Sequence, residues 1–210
     1  MLSVNTNVGA MVALQYLNQT QQALQETQSH INSGLKVSTP KDNGAVYAIA
    51  QNMRGNVAGY QAVNDSINRG ISTVDVAISA GQSISDLLND LKAKALAGAD
   101  NSLDTASRTA LNADFTALRD QITTIVQNAS FNGTHMVDGS TANFQALASA
   151  DGTKKITVAG QTLSLSGTIV TMKSTATIST AAKASTMVGT INISIQNVNG
   201  ALAKMASGVK

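Results

Sequence analysis

The chain has 210 residues, 43% of them hydrophobic and only 12% charged, with a net charge of +2. That content supports one or two modest cored domains, while the scattered lysines and arginines lack the basic stripe of a nucleic-acid binder. Aromatic residues make up 3% and Cys and Trp are absent, which excludes a disulfide scaffold or thiolate metal centre and argues against an aromatic-lined ligand pocket.

The opening residues show neither the basic n-region nor the apolar h-region of a cleavable secretory signal. A first helix is predicted over 9–35. Met11, Leu14, Leu17, Leu24, Ile31 and Leu35 recur at three-four spacing, and Gln21 and Gln28 fill the remaining seam positions. A buried amide needs a hydrogen-bonding partner, so these glutamines are expected to set the register of whatever the seam packs against. The stripe is thin, and such a helix on its own is marginal in water. Gly34 marks its end and Pro40, the only proline, marks a turn.

The strongest periodicity begins at Asp42 or Asn43 and runs to about Leu96. Val63, Ile67, Gly70, Val74, Ala77, Gly81, Ile84, Leu88, Leu91 and Ala95 follow one another at four-three spacing, all apolar or Gly. Ile71, Ile78 and Leu87 widen the stripe, so the helix is expected to meet more than one neighbour. At 1.5 Å per residue it would extend roughly 80 Å, a length that suits a rod. Polar residues at 100–102 then read as a turn. A third helix carries Leu111, Phe115, Leu118, Ile122, Ile125 and Ala129, and its short connection predicts an antiparallel return.

Beyond Asn132-Gly133 helical spacing disappears. Asp138-Gly139 and Asp151-Gly152 punctuate short runs such as Ile156-Thr157-Val158 and Leu163-Ser164-Leu165, which predicts small β-hairpins. The stretch 166–180 is weaker and reads as loop. Residues 182–210 return to helix with Val188, Ile191, Ile195, Val198, Leu202, Met205 and Val209 in register. The expected fold is therefore mainly α with a small β insert: an elongated antiparallel helical bundle or coiled coil plus short hairpins. No run approaches the ~20 apolar residues of a membrane span, so no membrane insertion is expected.

Chemistry-bearing constellations are sparse. His30 and His135 are the only histidines and read as surface imidazoles without ligand-type neighbours at metal spacing. Asp86, Asp90, Asp100, Asp104, Asp114 and Asp120 fall on polar helix faces, and no P-loop, Ser-His-Asp order or Gly-x-Gly-x-x-Gly is present. No catalytic residue, cofactor or metal is expected.

Four short motifs stand in order between these helices: Val4-Asn5-Thr6-Asn7, Ile31-Asn32-Ser33-Gly34-Leu35-Lys36, Lys41-Asp42-Asn43-Gly44-Ala45 and Phe131-Asn132-Gly133. Together they resemble the N-terminal region of bacterial flagellin, and the Asn-Gly-Ala variant with the short insert is most similar to the small flagellins of alphaproteobacteria. The resemblance implies a secreted, extracellular subunit of the motility filament, self-assembling through its helical seams. Its partners would be other flagellin subunits, the flagellar type III export machinery and hook-associated proteins. It also implies a division into a coiled-coil filament-core segment (1–42), a long-helix rod domain (43–131), a β-rich outer insert (132–181) and the returning helix of the rod (182–210). The family's C-terminal arm, which pairs with the first helix, would be lacking here. Two other readings stand beside it: a surface module binding glycan through the insert, and a junction protein of the hook-associated kind. The insert offers a glycan no aromatic platform beyond Phe144.

Overall fold

The computed structural model describes residues 7–208, so Val4, Asn5 and Thr6 of the first motif and Val209 of the last seam lie outside it. The elements are α1 (Val8–Ser33), α2 (Gly44–Gly98), α3 (Thr105–Asn128), β1 (Ser130–Phe131), β2 (Thr134–His135), β3 (Asn143–Leu147), β4 (Lys155–Ala159) and α4 (Ala181–Ser207). The chain forms two compact units, one up to residue 58 and one from residue 59 onward.

The core belongs to the second unit. Lys94 Nζ lies 2.6 Å from Asp114 Oδ2, while Val76 and Ala80 share a groove with Thr124, Ile125 and Asn128. Rising numbers on α2 thus meet falling numbers on α3, and the two helices are antiparallel. The same holds for α4. A side-chain carbon on Gly98 would meet Ala184, and one on Gly81 would lie 2.6 Å from Leu202 Cδ2. Gly81 lets α2 and α4 approach closely where their stripes cross. Val74, Ile84, Leu88 and Leu91 of α2, Phe115 and Ile122 of α3, and Ile191, Val198 and Met205 of α4 are buried in one cluster.

The α4 stripe differs slightly from the predicted seam. Ala184, Ile191, Ser194, Val198, Ala201 and Met205 are buried, while Val188, Ile195 and Leu202 are half-buried beside them. The buried serine is satisfied: its hydroxyl donates to Thr190 O at 3.0 Å and accepts from Thr171 N at 3.1 Å.

Two hairpins follow α3. Asn132 and Gly133 both have positive φ (48° and 77°), as a two-residue turn between β1 and β2 requires. The second hairpin pairs Asn143 with Ala159 through to Leu147 with Lys155. It sits against α2, where Leu147 N donates to Ser66 Oγ and the ring of Phe144 reaches Gly70.

The predicted strand Leu163-Ser164-Leu165 is absent; these residues belong to an irregular segment, 160–180. That segment still supplies Leu163, Val170, Met172, Ala176 and Ile178 to the core. Buried irregular backbone needs its polar groups met, and neighbouring helices do so. Asn112 Oδ1 accepts from Ile178 N at 2.8 Å, Arg119 Nη1 donates to Ala176 O at 2.7 Å, and Asn197 Nδ2 donates to Ile169 O at 3.2 Å. Ladder pairing is unnecessary because side chains replace it.

Aspartates hold several connections. Asp104 caps α3 by accepting from Ser107 N at 2.7 Å, and Asp100 accepts from both the backbone N–H and the hydroxyl of Ser102. The backbone and hydroxyl bonds from Ser107 and Ser102, respectively, hold the two carboxyls below the ordinary carboxylate range. Groups depressed on folding contribute stability above their unfolded pKa and lose it as pH falls through the folded value. The melting temperature is therefore expected to hold steady between pH 7 and 5 and to fall below about pH 4. A flat profile down to pH 2.5 would contradict the assignment.

Candidate assembly surface

Local signals define α1 fully. Asn7 Oδ1 accepts from Ala10 N at its start, and Gly34, at φ 65°, ends it in the left-handed conformation that favours glycine. Yet no residue of α1 is buried. Leu14 is 58% exposed, Leu17 53%, Leu24 55% and Ile31 73%, and Leu35 just beyond the helix is also exposed. Gln21 and Gln28 face solvent too, and neither amide makes a hydrogen bond among the described residues. A helix with an uncovered apolar stripe lacks the packing that normally stabilises helices in proteins.

The same condition continues into the first turns of α2. Val46, Ile49, Met53 and Val57 are all exposed at three-four-four spacing. Sequence reasoning did not single them out, although the spacing was available; it is shorter than the run from Val63 onward and carries no Leu. Burial on α2 starts at Val63.

The predicted seam residues therefore fall into two sets. Val74, Ile84, Leu88, Leu91, Phe115, Ile122, Ile191 and Val198 are buried, with Ile67, Leu111, Leu118, Ile125, Val188, Ile195 and Leu202 half-buried around them. These close on one another inside the second unit. Leu14, Leu17, Gln21, Leu24, Gln28, Ile31 and Leu35 of the first unit meet nothing that covers them. In hydrogen exchange of the monomer, amides of 12–30 are expected to exchange far faster than those of 84–95, which can open only with the core. Equal protection of both would overturn this reading.

The aspartates do not converge. Asp114 pairs with Lys94, Asp120 with Arg119, and Asp100 and Asp104 belong to turns. His135 lies near Asp138, with 3.9 Å between Nδ1 and Oδ2. His30 corrects the sequence reading, which gave it no ligand-type neighbours. Glu26, one helical turn back, and Asp42, returned by the connection after α1, both lie beside it. The i−4 spacing of Glu26 was legible; the approach of Asp42 depends on the turn. No described helix is long and apolar enough to cross a membrane.

A cored helical unit, joined in sequence to apolar ridges that no described residue covers, defines a structural subunit. The model described as the bacterial flagellin N-terminal helical region matches residues 4–142. Flagellin FljK of Caulobacter vibrioides is 48% identical over 205 residues, covering 98% of this chain and 74% of that protein. Flagellin B of Rhizobium meliloti is 37% identical over 133 residues, covering 63% of this chain and 33% of that one. Among solved structures, a Bacillus cereus flagellin shares the fold with a TM-score of 0.59 at 21% identity, over 68% of this chain and 81% of that one. The chain belongs to the bacterial flagellin family. That family and its fold are structural, not enzymatic.

Proposed function

We propose that this flagellin acts as a subunit of the bacterial flagellar filament by burying the ridges of α1 and the start of α2 against other flagellin subunits. The observation that carries the proposal is the contrast within one chain. One set of apolar stripes is spent on an internal core, and another, equally regular, is left open. Apolar stripes at helical spacing are costly to leave in water and are satisfied by a second stripe of the same kind. Family membership supports the choice of partner. Export through the flagellar secretion channel to the cell exterior, and contact with hook-associated proteins at the filament base, belong to the same proposal and rest on that membership.

The test is incorporation. An epitope-tagged copy expressed in a flagellated alphaproteobacterium is expected along the length of sheared filaments. Tag that is produced but confined to the cell, or found only at the filament base, would overturn the proposal; the latter would indicate a junction protein.

A further inference from the structure

We propose that Glu26, His30 and Asp42 form a binding site for one divalent transition-metal ion of the zinc type, tying the end of α1 to the turn that follows it. The inference is independent of the filament reading, because the site lies within one chain.

Glu26 and His30 are four residues apart on α1 and so share a face. The chain leaves the helix at Gly34 and brings Asp42 back to that face. One donor atom from each of the three side chains lies within 4.8 Å of the others. Asp42 is held in place by its neighbours. Its Oδ2 accepts from Ser38 N at 2.8 Å, Ser38 Oγ at 3.1 Å and Thr39 N at 2.9 Å, and its Oδ1 accepts from Thr39 Oγ1 at 2.8 Å. These bonds, those from Thr39 above all, keep the carboxyl ionised far below the ordinary carboxylate range. An oriented, deprotonated carboxylate with a hydrogen-bonded outer shell is what a metal ligand needs.

His30 supplies the second observation. Its Nε2 is buried yet has no hydrogen-bond partner, although Asp42 Oδ2 lies 3.4 Å away. A buried polar nitrogen left unmatched is costly, so the arrangement calls for a third party. Two donors that each lie about 2.0–2.1 Å from a tetrahedral centre are about 3.4 Å apart, the spacing found here. One imidazole with two carboxylates suits zinc-like ions with water at the open position. Calcium and magnesium prefer oxygen alone. The two carboxylate charges also neutralise a divalent ion.

The experiment is a calorimetric titration of the untagged, chelator-stripped full chain with Zn²⁺ at pH 7. Saturable binding of one ion per chain is expected, with slowed hydrogen exchange over 26–42. His30→Ala is expected to abolish that binding. Because no residue of α1 is buried, this variant keeps the circular dichroism of the parent, so the loss is not unfolding. Ser38→Ala, which removes one support of Asp42, is expected to weaken binding about 10–100-fold. His135→Ala is expected to leave it unchanged. Absence of saturable binding, binding equal in His30→Ala, or equally tight binding of Ca²⁺ would each overturn the proposal.

Discussion

Replacing Leu14, Leu17 and Leu24 together with serine is expected to leave the purified chain folded and to remove it from filaments. All three are more than half exposed, so the monomer gives up little when they become polar. In an assembly the loss is different. Full burial of each side chain contributes about 1.5–3 kcal/mol, and roughly half of each remains available to bury, which leaves about 2–4 kcal/mol for the three. At about 1.4 kcal/mol per tenfold, the critical concentration for polymerisation should rise roughly 30- to 1,000-fold. Sedimentation of polymer across a concentration series reads this directly. Unchanged polymerisation with three serines on the ridge would remove α1 from the assembly surface.

The opposite result is expected for Phe115→Ala. Phe115 is fully buried, facing the stripes of α2 and α4 within one cluster. Truncating a buried aromatic ring costs about 3–5 kcal/mol, from lost burial and from the cavity left behind. Typical domains hold about 5–15 kcal/mol in all, so this variant should lose a large share of its stability. Urea unfolding followed by circular dichroism would show the midpoint falling, with Leu24→Ala within about 0.5 kcal/mol of the parent. If the two substitutions cost the same, the division between a spent stripe and an open one fails.

Much of this fold was legible in the sequence because helical burial is periodic. The run from Val63 to Ala95 repeats without a polar interruption, and every member except half-buried Ile67 is buried. What periodicity cannot say is which partner a stripe meets. Leu14–Leu24 and Ile84–Leu91 have the same spacing, yet only the second is covered within the chain. Residues 160–180 were opaque for another reason. Their burial is irregular, and it depends on Asn112, Arg119 and Asn197, polar residues on distant helices whose role no local pattern announces. Ser194 escaped notice in the same way, since a serine in an apolar stripe reads as a gap until Thr171 is seen beside it. The site at His30 was half visible: Glu26 follows from helix geometry, whereas Asp42 is placed by a turn that its own hydrogen bonds to Ser38 and Thr39 create.

The irregular segment also determines where this molecule has room to carry cargo. Splitting residues 169–178 with added sequence would unplug backbone groups that three distant side chains occupy, and would pull Val170 and Met172 out of the interior. The tip between β3 and β4 has no such ties to other helices at Gly152, where nothing lies within 4 Å of an added carbon and φ is 72°. A foreign peptide grafted there would extend a loop whose ends are already joined by the bond from Ala148 N to Lys154 O, leaving the helices beneath undisturbed.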